Sequence, residues 1–438
     1  MCNLVGISIP NKYFFFWYSQ RLLLSGVNFL IGCHLSLTGM TRYVIIGNGM
    51  AGTTAAYQIR KKDTTGEIIL FTREPYPFYS RIRLIDFLSG SASISDLLLK
   101  KEDWYKKQRI SLRLDTAITQ INPKSKQVVT QRGDSLKYDK LLLAMGGSPF
   151  VPPITGVTKK GVFTLRTIQD AQAILEHITK EGNRVIVIGG GVLGLEAGNA
   201  LRKQGCKIDV IEFFPRLLPR QMDSEGAGIL QAQLEKKGFT FYLGVKTQKI
   251  TGGKQVDGIR LDDGRDIKGD MVLLSAGIRP TVTVAQDLGI DIDRGVKVDD
   301  QLHTSFPDIY AAGDIIQHKN SVYGIWPAAE TQGEIAGVNM AGEKRIYRGT
   351  TPSNMLKVSG IDLFSIGDID PEGQRNSFLH KDKARFIYKK IVLANNRIIG
   401  AILYGDTQGR QRIVAAIQEK KDMSNHLQEL RTFDFGHI

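Results

Sequence analysis

With 438 residues the chain exceeds the size at which a single hydrophobic core keeps growing, so two or three domains are expected. Composition is that of an ordinary globular protein, and the three cysteines, Cys2, Cys33 and Cys206, lie too far apart for a disulfide framework or a thiolate metal site. The net charge of +14 is spread over dispersed basic residues without an aromatic-interleaved basic motif or zinc-finger spacing, which excludes nucleic acid as an expected partner and leaves an acidic protein or an anionic surface open.

The first segment, 1–39, reads as an extension that is not part of the fold. Residues 13–37 are markedly apolar, with Lys12 just ahead and Arg21 inside, but Arg21, Asn28 and His34 interrupt them. A membrane span wants about twenty mostly apolar residues in a row. Leu30-Ile31-Gly32-Cys33 would pass as a lipoprotein cleavage box, yet the region before it is long and broken. Met40 is taken as the start of the folded chain, because the strand 42–46 follows it directly; without 1–39 the charge is +14 less two, or +12. Membrane contact is expected only through this extension, and the location is expected to be cytoplasmic.

Tyr43-Val44-Ile45-Ile46 is a short continuous apolar run, the pattern of a strand buried on both faces, and Gly47-Asn48-Gly49-Met50-Ala51-Gly52 follows at once. This is GxGxxG between a strand and a helix. Gly47 allows the tight turn, Gly49 lets the backbone approach a pyrophosphate, and Gly52 lets the helix 53–61 pack on the strand. The free N–H groups and positive dipole end of that helix then face the phosphates. A second strand, 68–71, leads to Glu74, 27 residues after Gly47, whose carboxylate is placed to accept hydrogen bonds from a ribose.

The same pattern recurs from Arg184: an apolar strand, Gly189-Gly190-Gly191-Val192-Leu193-Gly194, a helix through Lys203, a strand 207–211, and Glu212. Glu212 lies 23 residues after Gly189, close to the spacing expected of an acid on the adenosine ribose. An acid there repels a 2′-phosphate, so NADH is favoured over NADPH, although Arg216 and Arg220 keep the second open. Cys206, just before the strand, reads as a buried inert thiol. Two dinucleotides in one chain allow electrons to pass from one to the other.

From Thr351 the chain reads as a small α/β domain. Strands are expected at 355–358, 362–366, 384–392 and 398–404, the last two around the turn Asn395-Asn396, and a helix begins at Arg410.

With both loops in hand, the chain from about Thr41 onward resembles the FAD-dependent pyridine nucleotide-disulfide oxidoreductase superfamily. Two further segments carry the resemblance. Tyr138-Asp139-Lys140-Leu141-Leu142-Leu143-Ala144-Met145-Gly146-Gly147-Ser148-Pro149 looks like the family's strand and turn at the first domain crossing, with Met145 where threonine is common. Ile309-Tyr310-Ala311-Ala312-Gly313-Asp314 looks like the second FAD signature, in which Asp314 would accept a hydrogen bond from the ribityl chain. Three more segments look like NAD(P)H:rubredoxin reductases and the flavoprotein module of assimilatory nitrite reductases. They are Tyr79-Ser80-Arg81-Ile82-Arg83-Leu84, Trp326-Pro327-Ala328-Ala329-Glu330-Thr331-Gln332-Gly333, and Leu356-Lys357-Val358-Ser359-Gly360-Ile361-Asp362-Leu363-Phe364.

The resemblance implies two Rossmann-like three-layer α/β dinucleotide-binding domains and a small C-terminal α/β domain. The FAD domain, 40–150 and 279–348, is split by an inserted NAD domain, 151–278. The C-terminal interface domain, 351–438, helps to form a docking or homodimer surface. Gly277 marks the second crossing. The segment 74–90 has no cysteine where relatives that do thiol chemistry carry one, and there is no room or cysteine set for sirohaem and iron-sulfur modules. Where related ferredoxin-type reductases place a lysine near flavin N5, this chain has Asp86; Glu196, which matches that lysine's partner, is therefore expected to pair with Arg81 or Arg83.

Hydride transfer between stacked rings needs position and charge more than an acid or base. Arg81 is expected beside the flavin, the helix starting near Pro327 at its pyrimidine edge, and Trp326 either over the ring or in a domain interface. The function expected is an NADH:acceptor oxidoreductase using FAD, with a small acidic electron carrier of the rubredoxin or ferredoxin type as partner. Two alternatives remain at this point. One is the diaphorase subunit of a larger, nitrite-reductase-like complex. The other is a redox-sensing flavoprotein resembling apoptosis-inducing factor.

Overall fold

The computed structural model describes residues 40–350, 353–358 and 360–436, and the reading of 1–39 lies outside them. The strand Arg42–Ile46 sits at the centre of a five-stranded parallel sheet. Its order across the sheet is Ile309–Ala311, Lys140–Leu143, Arg42–Ile46, Glu67–Phe71 and Ile110–Arg113. One edge of this first sheet is thus supplied by a segment that returns from far along the chain. Parallel strands are stable only when both faces are covered. Here the helices Met50–Lys62 and Trp326–Met340 and an antiparallel meander, through Ile118, Ile121 and Val128, share one core with the strands.

A second parallel sheet runs Phe239–Leu243, Lys207–Glu212, Arg184–Ile188, Met271–Leu274 and Val162–Thr164. Its middle strand shows why the sequence reads as an unbroken apolar run. Val185 and Val187 join Ile174, Leu195 and Leu230, from the helices Ile168–Lys180, Val192–Lys203 and Ser224–Lys236. Ile186 and Ile188 pack instead with Ile250, Ile259 and Ile267 of a second antiparallel meander. Alternate side chains serve opposite cores, so the four buried positions Val185, Ile186, Val187 and Ile188 are all apolar.

The two connections between the sheets run side by side. Gly147–Pro149 pairs antiparallel with Ile278–Pro280, the Phe150 N–H donates to the Gly277 carbonyl at 2.8 Å, and the Arg279 guanidinium lies 3.8 Å from the Phe150 ring centroid.

The C-terminal sheet has five antiparallel strands in the order Ser353–Val358, Ile361–Gly367, Arg397–Tyr404, Ile387–Ala394 and Asn376–Asp382. Asn395 and Asn396, at φ 48° and 56°, form the tight turn between two of them, as their side chains favour in a two-residue hairpin. Two expectations need correction. The strand Asn376–Asp382 is absent from the sequence reading, and the strand expected from 384 begins at Ile387 because 384–386 form the connecting turn, with Phe386 at φ 55°. The missed strand lies at the sheet edge with most side chains in solvent, so it carries no alternating apolar pattern. One face of this sheet, with Leu363, Tyr388, Ile402 and Tyr404, joins the core of the second sheet's helices. The other, with Phe364, Ile391 and Leu403, packs on Ile413 and Ala416 of the helix Arg410–Gln418. Among the described residues no helix is long and apolar enough to cross a membrane.

Candidate functional site

Nearly every loop residue singled out by the sequence follows the carboxyl end of a parallel strand, which is where ligands collect in open α/β sheets. Gly47 directly follows Ile46 and Ala144 directly follows Leu143, while Glu74 lies three residues after Phe71 and Gly313 two after Ala311. In the second sheet Gly189 follows Ile188, Glu212 ends its strand, and Gly277 follows Leu274.

The two glycine loops are nearly superposable in their constraints. Gly47 and Gly189 adopt φ +116° and +118°, a region open only to glycine at low cost. A Cβ on Gly47 would fall into the Ala144 carbonyl, and one on Gly189 into the Ser275 carbonyl. Gly52 and Gly194 lie against the carbonyls of Gly47 and Gly189, which brings each helix onto its own turn. Gly49 and Gly191 instead face open space, with no atom within 4 Å of an added Cβ. Each begins its helix, Met50–Lys62 or Val192–Lys203, without a side-chain cap. The first-turn N–H groups are therefore free to meet an anion. Beside the first loop, Asn48 accepts from Thr53 and Tyr105 through its oxygen, while its buried amide nitrogen has no partner. Open glycines, uncapped helix starts and this orphaned donor fit a dinucleotide pyrophosphate.

Ala51 is the meeting point of the first site. The helix Trp326–Met340 crosses there, and Gly333 approaches so closely that a Cβ would lie 2.5 Å from the Ala51 carbonyl oxygen. A Cβ on Gly313 would sit 3.2 Å from that of Ala51. Met50 lies on the outer side, its sulfur accepting from Thr54 at 3.3 Å. The second helix also begins uncapped, with Pro327 in its first turn, so two positive helix ends stand at the same sheet edge. Trp326, half-buried, packs on Phe78 with ring centroids 6.0 Å apart.

Around this edge lies a network that the sequence reading only partly anticipated. Glu74, buried, receives the Tyr79 hydroxyl and the Arg81 guanidinium on separate oxygens, each at 2.5 Å. Arg81 also donates to the Tyr79 oxygen at 2.8 Å and to the Arg166 carbonyl at 2.6 Å. Burial, opposed by Arg81 and reinforced by Glu74, pushes the Tyr79 hydroxyl well above its usual range, so it remains a donor. Burial pulls the Arg81 guanidinium down, but Tyr79 and Glu74 outweigh it and leave the group more firmly charged. Arg166 in turn holds Asp314 at 3.0 Å, and a Cβ on Gly146 would sit 3.4 Å from the same guanidinium. The Gly313 N–H donates to Gln332 at 2.8 Å, and Gln332 is fully buried.

Tyr79, Arg166, Gln332 and Asn48 were not singled out as site residues. Arg166 meets Asp314 across 148 residues of sequence, and no local spacing announces such a contact. Arg81 pairs with Glu74, and Arg83 with Asp86 at 3.0 Å. Glu196 lies half-buried on the helix Val192–Lys203.

At the second site Glu212, buried, accepts the Gly190 N–H at 2.6 Å and the Phe214 N–H at 2.8 Å. The carboxylate is fixed at the rim of the glycine loop, where an adenosine ribose would reach it. Among the described residues no group of three or more His, Cys, Asp and Glu side chains is arranged to hold a metal ion.

Residues 41–333 match the pyridine nucleotide-disulphide oxidoreductase family, and 352–421 match the rubredoxin NAD+ reductase C-terminal domain. The chain is 37% identical over 385 residues to the assimilatory nitrate reductase electron transfer subunit of Bacillus subtilis, covering 87% of this chain and 50% of that protein. It is 31% identical over 387 residues to the NADH-rubredoxin oxidoreductase of Clostridium acetobutylicum, covering 88% and 96%. The fold superposes on an NAD-dependent persulfide reductase from A. fulgidus with a TM-score of 0.80 at 27% identity, covering 88% of this chain and 78% of that one. The chain thus spans half the length of the first relative and nearly all of the second.

Proposed function

Because the chain belongs to the pyridine nucleotide-disulphide oxidoreductase family, we propose that it is an NADH-dependent FAD oxidoreductase that passes electrons to a small acidic carrier protein of the rubredoxin or ferredoxin type, without a redox cysteine. The observation that supports it most is the duplicated loop: two glycine turns with matching φ, matching carbonyl contacts and uncapped helices in one chain. A match to the rubredoxin NAD+ reductase C-terminal domain adds the acceptor class.

FAD, when bound, supplies a hydride acceptor that can be discharged one electron at a time. Residues 47–52 would hold its pyrophosphate on free N–H groups, and Glu74 and Asp314 would orient its sugar and ribityl hydroxyls. Arg81 and the start of the helix Trp326–Met340 would offer positive charge to a bound flavin and so favour its reduced, anionic form. Residues 189–194 and Glu212 hold NADH, and the fixed carboxylate repels a 2′-phosphate. The segment 74–90 holds no thiol that would relay electrons from a bound FAD to the acceptor.

One observation favours a second reading. The chain spans half of the nitrate reductase subunit it resembles, so it can also act as the diaphorase part of a larger complex whose acceptor centre lies on a partner chain. Anaerobic stopped-flow absorbance tests both. Rapid bleaching of the flavin band by NADH, then rapid reoxidation by rubredoxin or ferredoxin that weakens as salt is added, is the expected result. A long-lived complex with NADH that no carrier discharges overturns the reductase reading in favour of a sensor.

A further inference from the structure

The second sheet's ribose loop, 213–223, is fastened at both ends, and its far end is fastened by another part of the fold. At the near end Glu212 takes the N–H groups of Gly190 and Phe214. Leu218 then returns to the same glycine, donating its N–H to the Gly190 carbonyl at 3.1 Å. A Cβ on Gly190 would lie 2.8 Å from Leu217 Cδ2, and both leucines are fully buried. The position of this loop is thereby imposed on the phosphate turn itself.

At the far end stands Asp223. One carboxylate oxygen caps the helix Ser224–Lys236 by accepting the Gly226 N–H at 3.0 Å. The other accepts the Tyr388 hydroxyl at 2.5 Å and lies 3.2 Å from the Lys390 ammonium. Tyr388 and Lys390 are alternate residues on one face of the strand Ile387–Ala394 in the C-terminal sheet. The Lys390 side chain is 4% exposed, donates to the Asp370 carbonyl at 2.7 Å and lies 3.7 Å from that residue's carboxylate. One buried cation thus joins an aspartate of the C-terminal domain to the aspartate that ends the ribose loop. A Cβ on Gly226 would lie 2.9 Å from the Tyr388 ring, so the ring seats directly on the first turn of the helix.

Apolar contact already fixes the C-terminal sheet to this region, since Leu363, Tyr388, Ile402 and Tyr404 share a core with Leu217, Leu218 and Met222. Buried charges are costly to desolvate and add little to adhesion that such a core does not provide; what they add is direction. We propose that Lys390 and Tyr388 are positioning residues for NADH: through Asp223 the C-terminal domain sets the ribose loop and, through Leu218 and Gly190, the pyrophosphate turn. The inference rests on the placement of the adenosine ribose at Glu212 given above. It makes the domain that follows the nucleotide-binding units a determinant of nicotinamide dinucleotide affinity.

The test compares the FAD-loaded wild type with Tyr388→Phe, Lys390→Gln, Lys390→Arg and Glu212→Gln. NAD+ affinity is measured by calorimetry, steady-state KM and kcat for NADH with a dye acceptor, and flavin content and melting temperature serve as controls. Tyr388→Phe and Lys390→Gln are expected to weaken NAD+ and raise KM about tenfold, with flavin content and kcat within about twofold of wild type. Lys390→Arg, which keeps the charge, recovers most of the affinity. Lys390→Gln removes the buried cation between two carboxylates; should it fail to fold, Tyr388→Phe, which removes one hydroxyl and no charge, decides alone. A folded, flavin-loaded Tyr388→Phe protein that binds NAD+ as tightly as wild type overturns the positioning role. If Glu212→Gln weakens NAD+ in that case, the site reading survives; if Glu212→Gln also binds unchanged, the site reading falls with it.

Discussion

Arg166 holds the carboxylate of Asp314 at 3.0 Å, joining the turn after the second sheet's edge strand Val162–Thr164 to the turn after the first sheet's edge strand Ile309–Ala311. Both side chains are largely buried, at 22% and 18% exposure, so each is the other's main counter-charge. Removing the cation takes the hydrogen-bonded guanidinium from Asp314, the residue proposed above to meet the ribityl chain. Arg166→Met is expected to cost about 1–3 kcal/mol and to weaken flavin retention accordingly. Flavin-to-protein absorbance after dialysis, together with the melting temperature, checks this; undiminished retention would show that Asp314 is oriented by something else.

The matched turns predict separable defects. Gly47→Ala and Gly189→Ala each force a side chain to positive φ, at about 1–3 kcal/mol, and drive it into a carbonyl. The first substitution should give a protein that purifies with little flavin. The second should stay yellow and lose reduction by NADH. A Gly189→Ala protein reduced at the wild-type rate would show that the second loop is not the hydride donor's site.

What the sequence made legible was local. Strand, turn and helix in 42–62 and 184–203 are adjacent along the chain, so φ, close approach and helix entry leave a spaced glycine signature. The Asn395-Asn396 turn was readable for the same reason. Contacts formed between distant segments were not. Arg166 is an ordinary arginine until the fold brings Asp314 to it, and Lys390 lies in a run of surface-like lysines although it is buried between two aspartates. The edge strand Asn376–Asp382 escaped because a strand that buries little need not alternate. Arg81 and Arg83 pair with acids close by in the chain, Glu74 and Asp86, contacts that the resemblance did not indicate.

Four buried tyrosines of the first nucleotide-binding unit predict alkaline instability. Burial is the leading cause in each case, and it pushes Tyr43, Tyr138, Tyr310 and Tyr347 up to about 12. Their unfolded value is about 10. A folded pKa above the unfolded one gives stability that is present below pH about 10 and lost as pH rises toward about 12. Each should contribute on the order of 1 kcal/mol to that loss by pH about 11. Denaturation midpoints across this range should fall, and Tyr347→Phe should flatten the slope; a midpoint independent of pH would refute the assignment.

The proposed electron flow without a thiol predicts indifference to cysteine chemistry. Cys206 is the one cysteine among the described residues; it is 5% exposed and burial pushes its thiol up, away from the reactive thiolate. It precedes the strand Lys207–Glu212 and packs in the core shared with Leu201 and Ile208, facing neither glycine loop. Cys206→Ala should therefore keep kcat for NADH-driven carrier reduction within about twofold and cost about 1 kcal/mol of stability for the lost packing. Treatment of the native protein with iodoacetamide should leave turnover unchanged. Loss of turnover on alkylation in the wild type but not in Cys206→Ala would place a working thiol in the electron path and overturn direct transfer from the flavin edge.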